Sequence, residues 1–367
     1  MADNAIVVSL DFGGFDTNED IHEITQLTIS AGFEVAELVT SKRATPHTKY
    51  FIGSGKLEEI LLMKDSLEAD ILIFNHELTP SQERNIEKMT GMRVYDRTAL
   101  ILFIFSLRAK TYEGKLQVEL AHLDHLSTRL VKGWSHLERQ KGGIGVRGGP
   151  GEKQIELDRR MLGMRIKQLK EKLRKLGQQR SMQRRARKRS QALSISIVGY
   201  TNAGKSTLFN RLTHESIFAE DKLFATLDTT SRKLFIESGH SVVISDTVGF
   251  IKDLPTTLIE AFKSTLEEVT DSDLLVHVVD VSNENKSEQI NEVGKILEEI
   301  NAHNLPQILV LNQIDKINLK TGCERDDYGK INHIQLSAKT GDGIEFLKQA
   351  MVEYNQTRIN QRNGHYA

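Results

Sequence analysis

The stretch GYTNAGKST, Gly199 to Thr207, constrains this chain more than any other. It fits G-x-x-x-x-G-K-[ST] at Gly199, Gly204, Lys205 and Ser206, with the apolar run SISIV before it and the helix-like run KSTLFNRL after. Strand, tight loop and helix is the expected local fold, with the loop's backbone N–H groups aimed at an anion on the helix N-terminus. Lys205 would reach the outer phosphates of a nucleotide, and Ser206 would offer its hydroxyl to Mg²⁺. Tyr200, Thr201, Asn202, Ala203 and Thr207 complete the candidate phosphate-binding set.

Four later segments say which nucleotide. DTVG, Asp246 to Gly249, follows the strand-like SVVIS. Asp246 can hold Mg²⁺ through water, the Gly249 amide can sense a terminal phosphate, and Thr247 and Val248 lie between them. FATLDTT places Thr226 where a Mg²⁺-contacting switch threonine stands, so Ser206, Thr226 and Asp246 form the candidate metal set. NQID, with Asn312, Gln313 and Asp315, follows QILVL; the Asp315 carboxylate can accept the N1 and N2 hydrogens that guanine has and adenine lacks. SAKTG supplies Ser337, Ala338 and Lys339, and the Ala338 amide can meet guanine O6. The five segments stand in the order Ras-like GTPases use, which predicts GTP, GDP and Mg²⁺ as ligands and Lys205, Thr226 and Gly249 as the catalytic set.

Two positions depart from that pattern. Many such GTPases carry a glutamine after the DxxG glycine to orient the attacking water; this chain has Phe250, which cannot polarise water. Slow intrinsic hydrolysis is the expectation, with the Thr226 main-chain carbonyl one candidate for holding the water. Gln313 stands where most relatives have lysine, keeping part of the stem that covers the base and losing the charge.

The remaining sequence is a soluble, mixed composition. At 367 residues it has room for two or three domains. It has no apolar run of about 18 residues, and MADNAIVVSLDF lacks the basic start of a secretory signal. The single cysteine, Cys323, excludes an intrachain disulfide and a cysteine-built metal site, so a cytoplasmic location is expected. AIVVSL, FEVAELV, ADILIF and MRVYD read as strands, alternating with helical IHEITQLTISAG and SQERNIEKMTG, the second with Ser81 as its N-cap. That alternation predicts a parallel sheet. From Thr98 the pattern lengthens: Leu116, Leu120, Leu123, Leu130, Trp134 and Leu137 fall on a heptad grid, and Leu162, Ile166, Leu169, Leu173 and Leu176 repeat it. Two such helices predict an antiparallel hairpin with facing apolar seams. Gly177 ends the strong pattern, and QQRSMQRRARKRSQ reads as a basic linker or a helical extension. The predicted fold class is therefore α/β: an N-terminal parallel α/β domain (1–105), a helical hairpin with a glycine-rich tip and basic linker (106–189), a Ras-like P-loop GTPase domain (190–357) and a short tail (358–367).

The hairpin tip, KGGIGVRGGPGEK, contains G-x-G-x-x-G at Gly143, Gly145 and Gly148. A dinucleotide loop needs a strand before it; here the polar end of a heptad helix precedes it, so the match is accidental. FIGSGK, Phe51 to Lys56, lacks P-loop spacing and reads as a helix-opening turn. His122 and His125 stand one turn apart with no third ligand in view and read as ordinary helix-surface residues. The net charge of −1 conceals a basic block: Arg159 to Arg189 holds fourteen Lys/Arg and one acid, Glu171. A self-satisfied helix face interleaves acids for i,i+4 pairing, so this block favours an anionic partner.

With these segments in hand, the chain resembles HflX-type GTPases of the Obg–HflX superfamily along nearly its whole length. KYFIGSGKLEEI and YDRTALILFIF resemble that family's N-terminal domain, Arg108 to Arg160 resembles its helical hairpin, and LFATLDTTSR and DTVGFI resemble its switch regions, including the apolar residue after DxxG. Thr229, where many members have proline, is a further departure. The resemblance implies a GTPase that binds the large ribosomal subunit and helps split, recycle or rescue ribosomes under stress, stimulated by the ribosome. It implies that the N-terminal domain and hairpin contact ribosomal RNA, through Lys141, Gly142, Gly143, Arg147, Lys153, Arg159 and Arg160. Glycines let backbone follow RNA closely, and the cations meet phosphates. A monomer is expected. An RNA-binding switch in ribosome assembly is the alternative; a tRNA-modifying GTPase lacks a candidate cofactor site or terminal cysteine.

Overall fold

The computed structural model describes residues 3–13, 17–140, 150–189, 192–213, 223–236 and 241–364. It divides into two compact units, Met1–Arg174 and Lys175–Ala367.

The first unit begins β1 (Asn4–Asp11), α1 (Thr17–Ser30), β2 (Glu34–Lys42), α2 (Ser54–Ser66), β3 (Ala69–Phe74), α3 (Pro80–Thr90), β4 (Arg93–Tyr95) and α4 (Arg97–Arg108). The strands form one sheet in the order β2-β1-β3-β4, every pairing parallel, as the alternation predicts. β1 is central, and Ala5, Ile6, Val7 and Val8 are fully buried, the continuous apolar run of a strand covered on both faces.

The cap of α3 differs from expectation. Thr79, not Ser81, caps it: its hydroxyl accepts from the Gln82 amide while the Gln82 side chain accepts from the Thr79 amide. Pro80 then takes the first helical position, where its missing N–H costs nothing. FIGSGK opens α2 as expected, with Gly53 at the N-cap.

Two long helices, α5 (Tyr112–Gln140) and α6 (Pro150–Arg189), follow. The heptad grid shows directly in the burial of α6: Leu169 is fully buried and Leu162, Ile166, Leu173 and Leu176 are half-buried among exposed neighbours. Arg165 pairs with Glu119 at 2.6 Å and Lys170 with Asp124 at 3.8 Å, tying the two helices. α5 is anchored past its midpoint by Arg129, whose guanidinium reaches Glu83 on α3 and Asp96, the N-cap of α4. Gly177 does not end α6, so the basic stretch after it is helix through to Arg189. Among the described residues no helix is long and apolar enough to cross a membrane.

The second unit contains β5 (Leu193–Gly199), α7 (Lys205–Thr213), β6 (Thr230–Phe235), β7 (Ser241–Asp246), α8 (Thr256–Ala261), α9 (Lys263–Thr270), β8 (Leu274–Asp280), α10 (Lys286–Glu299), β9 (Gln307–Asn312), β10 (Gly322–Arg325), β11 (Ile331–Gln335) and α11 (Ile344–Gly364). The sheet order is β10-β11-β9-β8-β5-β7-β6. The five inner strands are parallel, and the two edge strands run antiparallel to their neighbours. Those edges escape the sequence reading because β6 and β10 are mostly exposed and carry no buried apolar run. The quoted segments GYTNAGKST, DTVG, NQID and SAKTG all lie at the carboxyl ends of β5, β7, β9 and β11, where ligands of open α/β sheets bind.

Candidate nucleotide site

The loop between β5 and α7 is held open by glycine. Gly204 has φ +90°, and a Cβ there would stand 2.3 Å from Asn312 Nδ2. Lys205, first residue of α7, is buried and donates from Nζ to the Tyr200 carbonyl at 2.6 Å. Burial pulls its pKa down to about 8, against the opposing pull of the Asp246 carboxylate.

Ser206, Thr226 and Asp246, from three separate segments, meet at one point. Both hydroxyls donate to Asp246 Oδ2 at 2.8 Å, and they lie 2.8 Å from each other. Asp246 is buried, which raises its pKa; its Oδ1 has no hydrogen-bond partner among the described residues. Two hydroxyls and one carboxylate with an orphaned oxygen form an all-oxygen set of the kind a hard divalent cation and its waters satisfy. Mg²⁺ fits.

The base-side loops are joined to the phosphate loop. Asn312 donates from Nδ2 to the Ala203 carbonyl at 2.8 Å and accepts at Oδ1 from the Ala338 amide at 2.9 Å. Gln313 donates to the Asn202 carbonyl at 3.0 Å. Ser337 donates to Asp315 at 2.6 Å, fixing the carboxylate that would read guanine. Arg211 on α7 braces the last loop, donating to the carbonyls of Ala338 at 3.1 Å and of Lys339.

The DxxG segment lies against the phosphate loop. A Cβ on Gly249 would come within 2.8 Å of Thr201 Cγ2 and 3.0 Å of Lys205 Nζ, so only glycine fits. Thr247 donates to the Ile197 carbonyl at 2.6 Å, and Val248 is buried. Phe250 turns away from the pocket: it is 1% exposed and packs with Val198, Leu266 and Leu275. Its backbone is stapled to the loop, the amide donating to Gly199 O at 3.2 Å and the carbonyl accepting from the Thr201 amide at 2.7 Å. Tyr200 Oη accepts from the Lys252 amide at 2.8 Å.

Phe224 and Ala225 also line the pocket beside Gly204, Lys205, Ser206 and Thr207, and sequence reasoning passed over both. Phe224 is 2% exposed with φ +55°, an unusual backbone for an aromatic residue. It lies in FATLDTT, two residues before Thr226, with no polar group to mark it in the sequence. His277 on β8 is another omission: burial, then the neighbouring Lys205 charge, lowers its pKa to about 4.

Of the expected RNA contacts, Arg159 and Arg160 are exposed on α6. Lys141, Gly142, Gly143 and Arg147 lie outside the described residues, as does the side chain of Lys153.

Three family models match in tandem: "GTP-binding GTPase N-terminal" over 18–106, "GTP-binding GTPase Middle Region" over 108–187 and "50S ribosome-binding GTPase" over 194–313. GTPase HflX of Escherichia coli (strain K12) is 48% identical over 352 residues, covering 96% of this chain and 82% of that protein. GTPase HflX of Caldanaerobacter subterraneus subsp. tengcongensis is 45% identical over 95% of this chain and 80% of its own length. Among solved structures, a GTP-binding protein of Sulfolobus solfataricus in complex with GDP aligns with TM-score 0.52 at 26% identity, covering 97% of this chain and 99% of that one. Identity of this order, sustained from the first sheet through the phosphate loop to the base-side loops, means that the chain belongs to the HflX family of GTPases.

Proposed function

We propose that this protein binds Mg²⁺·GTP at the carboxyl edge of its second sheet, hydrolyses it slowly alone, and uses the GTP state to grip the large ribosomal subunit during splitting, recycling or rescue. The observation that carries the reading is the pairing of an assembled phosphate and metal cradle with a Phe250 side chain withdrawn into the core. A switch built that way holds its nucleotide until a partner completes the site.

In this reading Gly199 to Thr207 wrap the phosphates, with Lys205 on the outer ones. Ser206, with Thr226 and Asp246, holds Mg²⁺, which when bound neutralises phosphate charge. Gly249 and Thr226 register the terminal phosphate, while Asn312, Gln313, Asp315, Ser337, Ala338 and Lys339 surround guanine. Residues 190–357 are the GTPase domain and 106–189 the RNA arm, with 1–105 as the remaining domain and 358–367 as a tail. The third matching family, "50S ribosome-binding GTPase", and the basic block of α6 support the ribosomal partner. A cytoplasmic monomer is the form expected.

The same basic block suits an RNA clamp in ribosome assembly. GTP turnover measured alone, with small subunits and with large subunits, at two salt concentrations, separates the two. Strong stimulation by large subunits alone, fading with salt, supports the ribosome factor; equal slow turnover in every tube supports the clamp. Deleting Gly142 to Gly151 should leave GDP binding intact and abolish subunit splitting.

A further inference from the structure

We propose that the Thr201 hydroxyl orients the water that attacks the terminal phosphate, the task that Phe250 leaves undone. The proposal rests on the GTPase reading above and names a catalytic residue within it.

The polar side chains around the pocket sort themselves by what they already hold. Lys205 is on the Tyr200 carbonyl, Thr247 on the Ile197 carbonyl, and Ser206 and Thr226 are on Asp246. Thr201 is 93% buried at 7% exposure, lines the same pocket, and its Oγ1 has no partner among the described residues. Buried hydroxyls are almost always hydrogen-bonded, so one left over in a phosphate pocket marks a place where the ligand supplies the partner.

Position adds the rest. Thr201 Cγ2 stands 2.8 Å from where a Gly249 Cβ would be, which puts the side chain against the DxxG glycine. Its backbone is pinned there by the Thr201 amide's bond to the Phe250 carbonyl. The side chain of residue 250 fills the core, so Thr201, packed against Gly249 with its hydroxyl unpartnered among the described residues, is the polar side chain beside the segment where a water-orienting glutamine otherwise stands.

A hydroxyl can accept one hydrogen bond and donate another. Accepting from the water and donating to a γ-phosphate oxygen, Thr201 would hold the water in line. The water oxygen then bonds to the γ-phosphorus as the bond to the β–γ bridging oxygen breaks. That oxygen keeps the electron pair and leaves in GDP, and the water's proton passes to inorganic phosphate. Thr201 ends the cycle unchanged.

The test is single-turnover GTP hydrolysis by Thr201→Val and Thr201→Ser, beside equilibrium binding of GDP and of a non-hydrolysable GTP analogue. Valine keeps the shape and the packing on Gly249 without the hydroxyl. We expect it to slow hydrolysis by on the order of tenfold to a hundredfold, with GDP affinity within about twofold and analogue affinity lowered no more than about fivefold, the value of the one hydrogen bond to the γ-phosphate, and serine to recover most of the loss. Wild-type rates in the valine variant overturn the proposal. So does a serine variant as slow as valine, or a valine variant whose rate loss is matched by lost affinity. A wild-type protein that binds GTP and never hydrolyses it would overturn the underlying GTPase reading instead.

Discussion

Gln313 donates from Nε2 to the Asn202 carbonyl at 3.0 Å, and both residues hold left-handed backbones, φ +66° and +62°. The bond fastens the base-side loop to the phosphate loop without the charge that lysine brings. Gln313→Ala should therefore weaken GDP binding about fivefold, near the 1 kcal/mol that a neutral hydrogen bond is worth. Displacement of a fluorescent guanine nucleotide measures it, and unchanged affinity would remove the tether from the account.

Lys205 titrates at about 8 in the nucleotide-free protein because burial disfavours its charge. Phosphates beside it favour the charged form and raise that value. GDP binding at pH 8.5 should then take up a substantial fraction of a proton, and at pH 7 almost none through this group. Calorimetry in buffers of different ionisation enthalpy reads the difference; uncorrected heats at pH 8.5 that do not change with the buffer would contradict it.

His277 is held neutral, its pKa lowered to about 4 by burial first and by Lys205 second. In the unfolded chain it titrates near the ordinary value of about 6.5. Between those values the unfolded chain binds the extra proton, so stability falls as pH drops from about 6.5 toward 4, by up to roughly 3 kcal/mol. Denaturant midpoints of wild type and His277→Leu across that range should diverge in slope, the variant being flatter.

Phe250→Gln restores the side chain many GTPases use, in a place where it cannot serve. The backbone staples at residue 250 leave the amide among Val198, Leu266 and Leu275. The expected outcome is a loss of about 2–4 kcal/mol in stability and no gain in hydrolysis. Faster turnover in that variant would show that the segment turns outward when nucleotide binds.

Arg129 joins three elements of the first unit through Glu83 and Asp96, and the Asp96 side chain is 2% exposed. Removing the cation strands a buried carboxylate. Arg129→Met should cost about 3–5 kcal/mol, less in company with Asp96→Asn, which also keeps a cap for α4. Thermal or urea unfolding of the two variants tests the pairing.

Much of this was readable in advance, for a physical reason. The nucleotide site is made of short motifs whose residues act through their own backbone and charge, so Gly204, Lys205 and Asp246 announce themselves locally. The heptad leucines of α6 are likewise a periodic signal. Strands β6 and β10 carried no such signal, since an exposed edge strand lacks an apolar face. The continuation of α6 through Gly177 was open because one glycine costs a helix only about 1 kcal/mol. Thr79 prevailed over Ser81 because Pro80 and Gln82 together make a better start than a lone hydroxyl. Arg129 finds its partners 46 and 33 residues away, and no local pattern names them.

Asn312 has one arm on the phosphate loop and the other on the loop proposed to receive guanine. Its two halves of the pocket are therefore not independent receptors. A small molecule carrying only a pyrophosphate tail should hold the phosphate loop around Ala203 in place, and through Asn312 the amide of Ala338. A separate guanine-like molecule then finds its half already set. Two unlinked fragments should bind this protein better together than either does alone, and Asn312 is where that cooperativity passes.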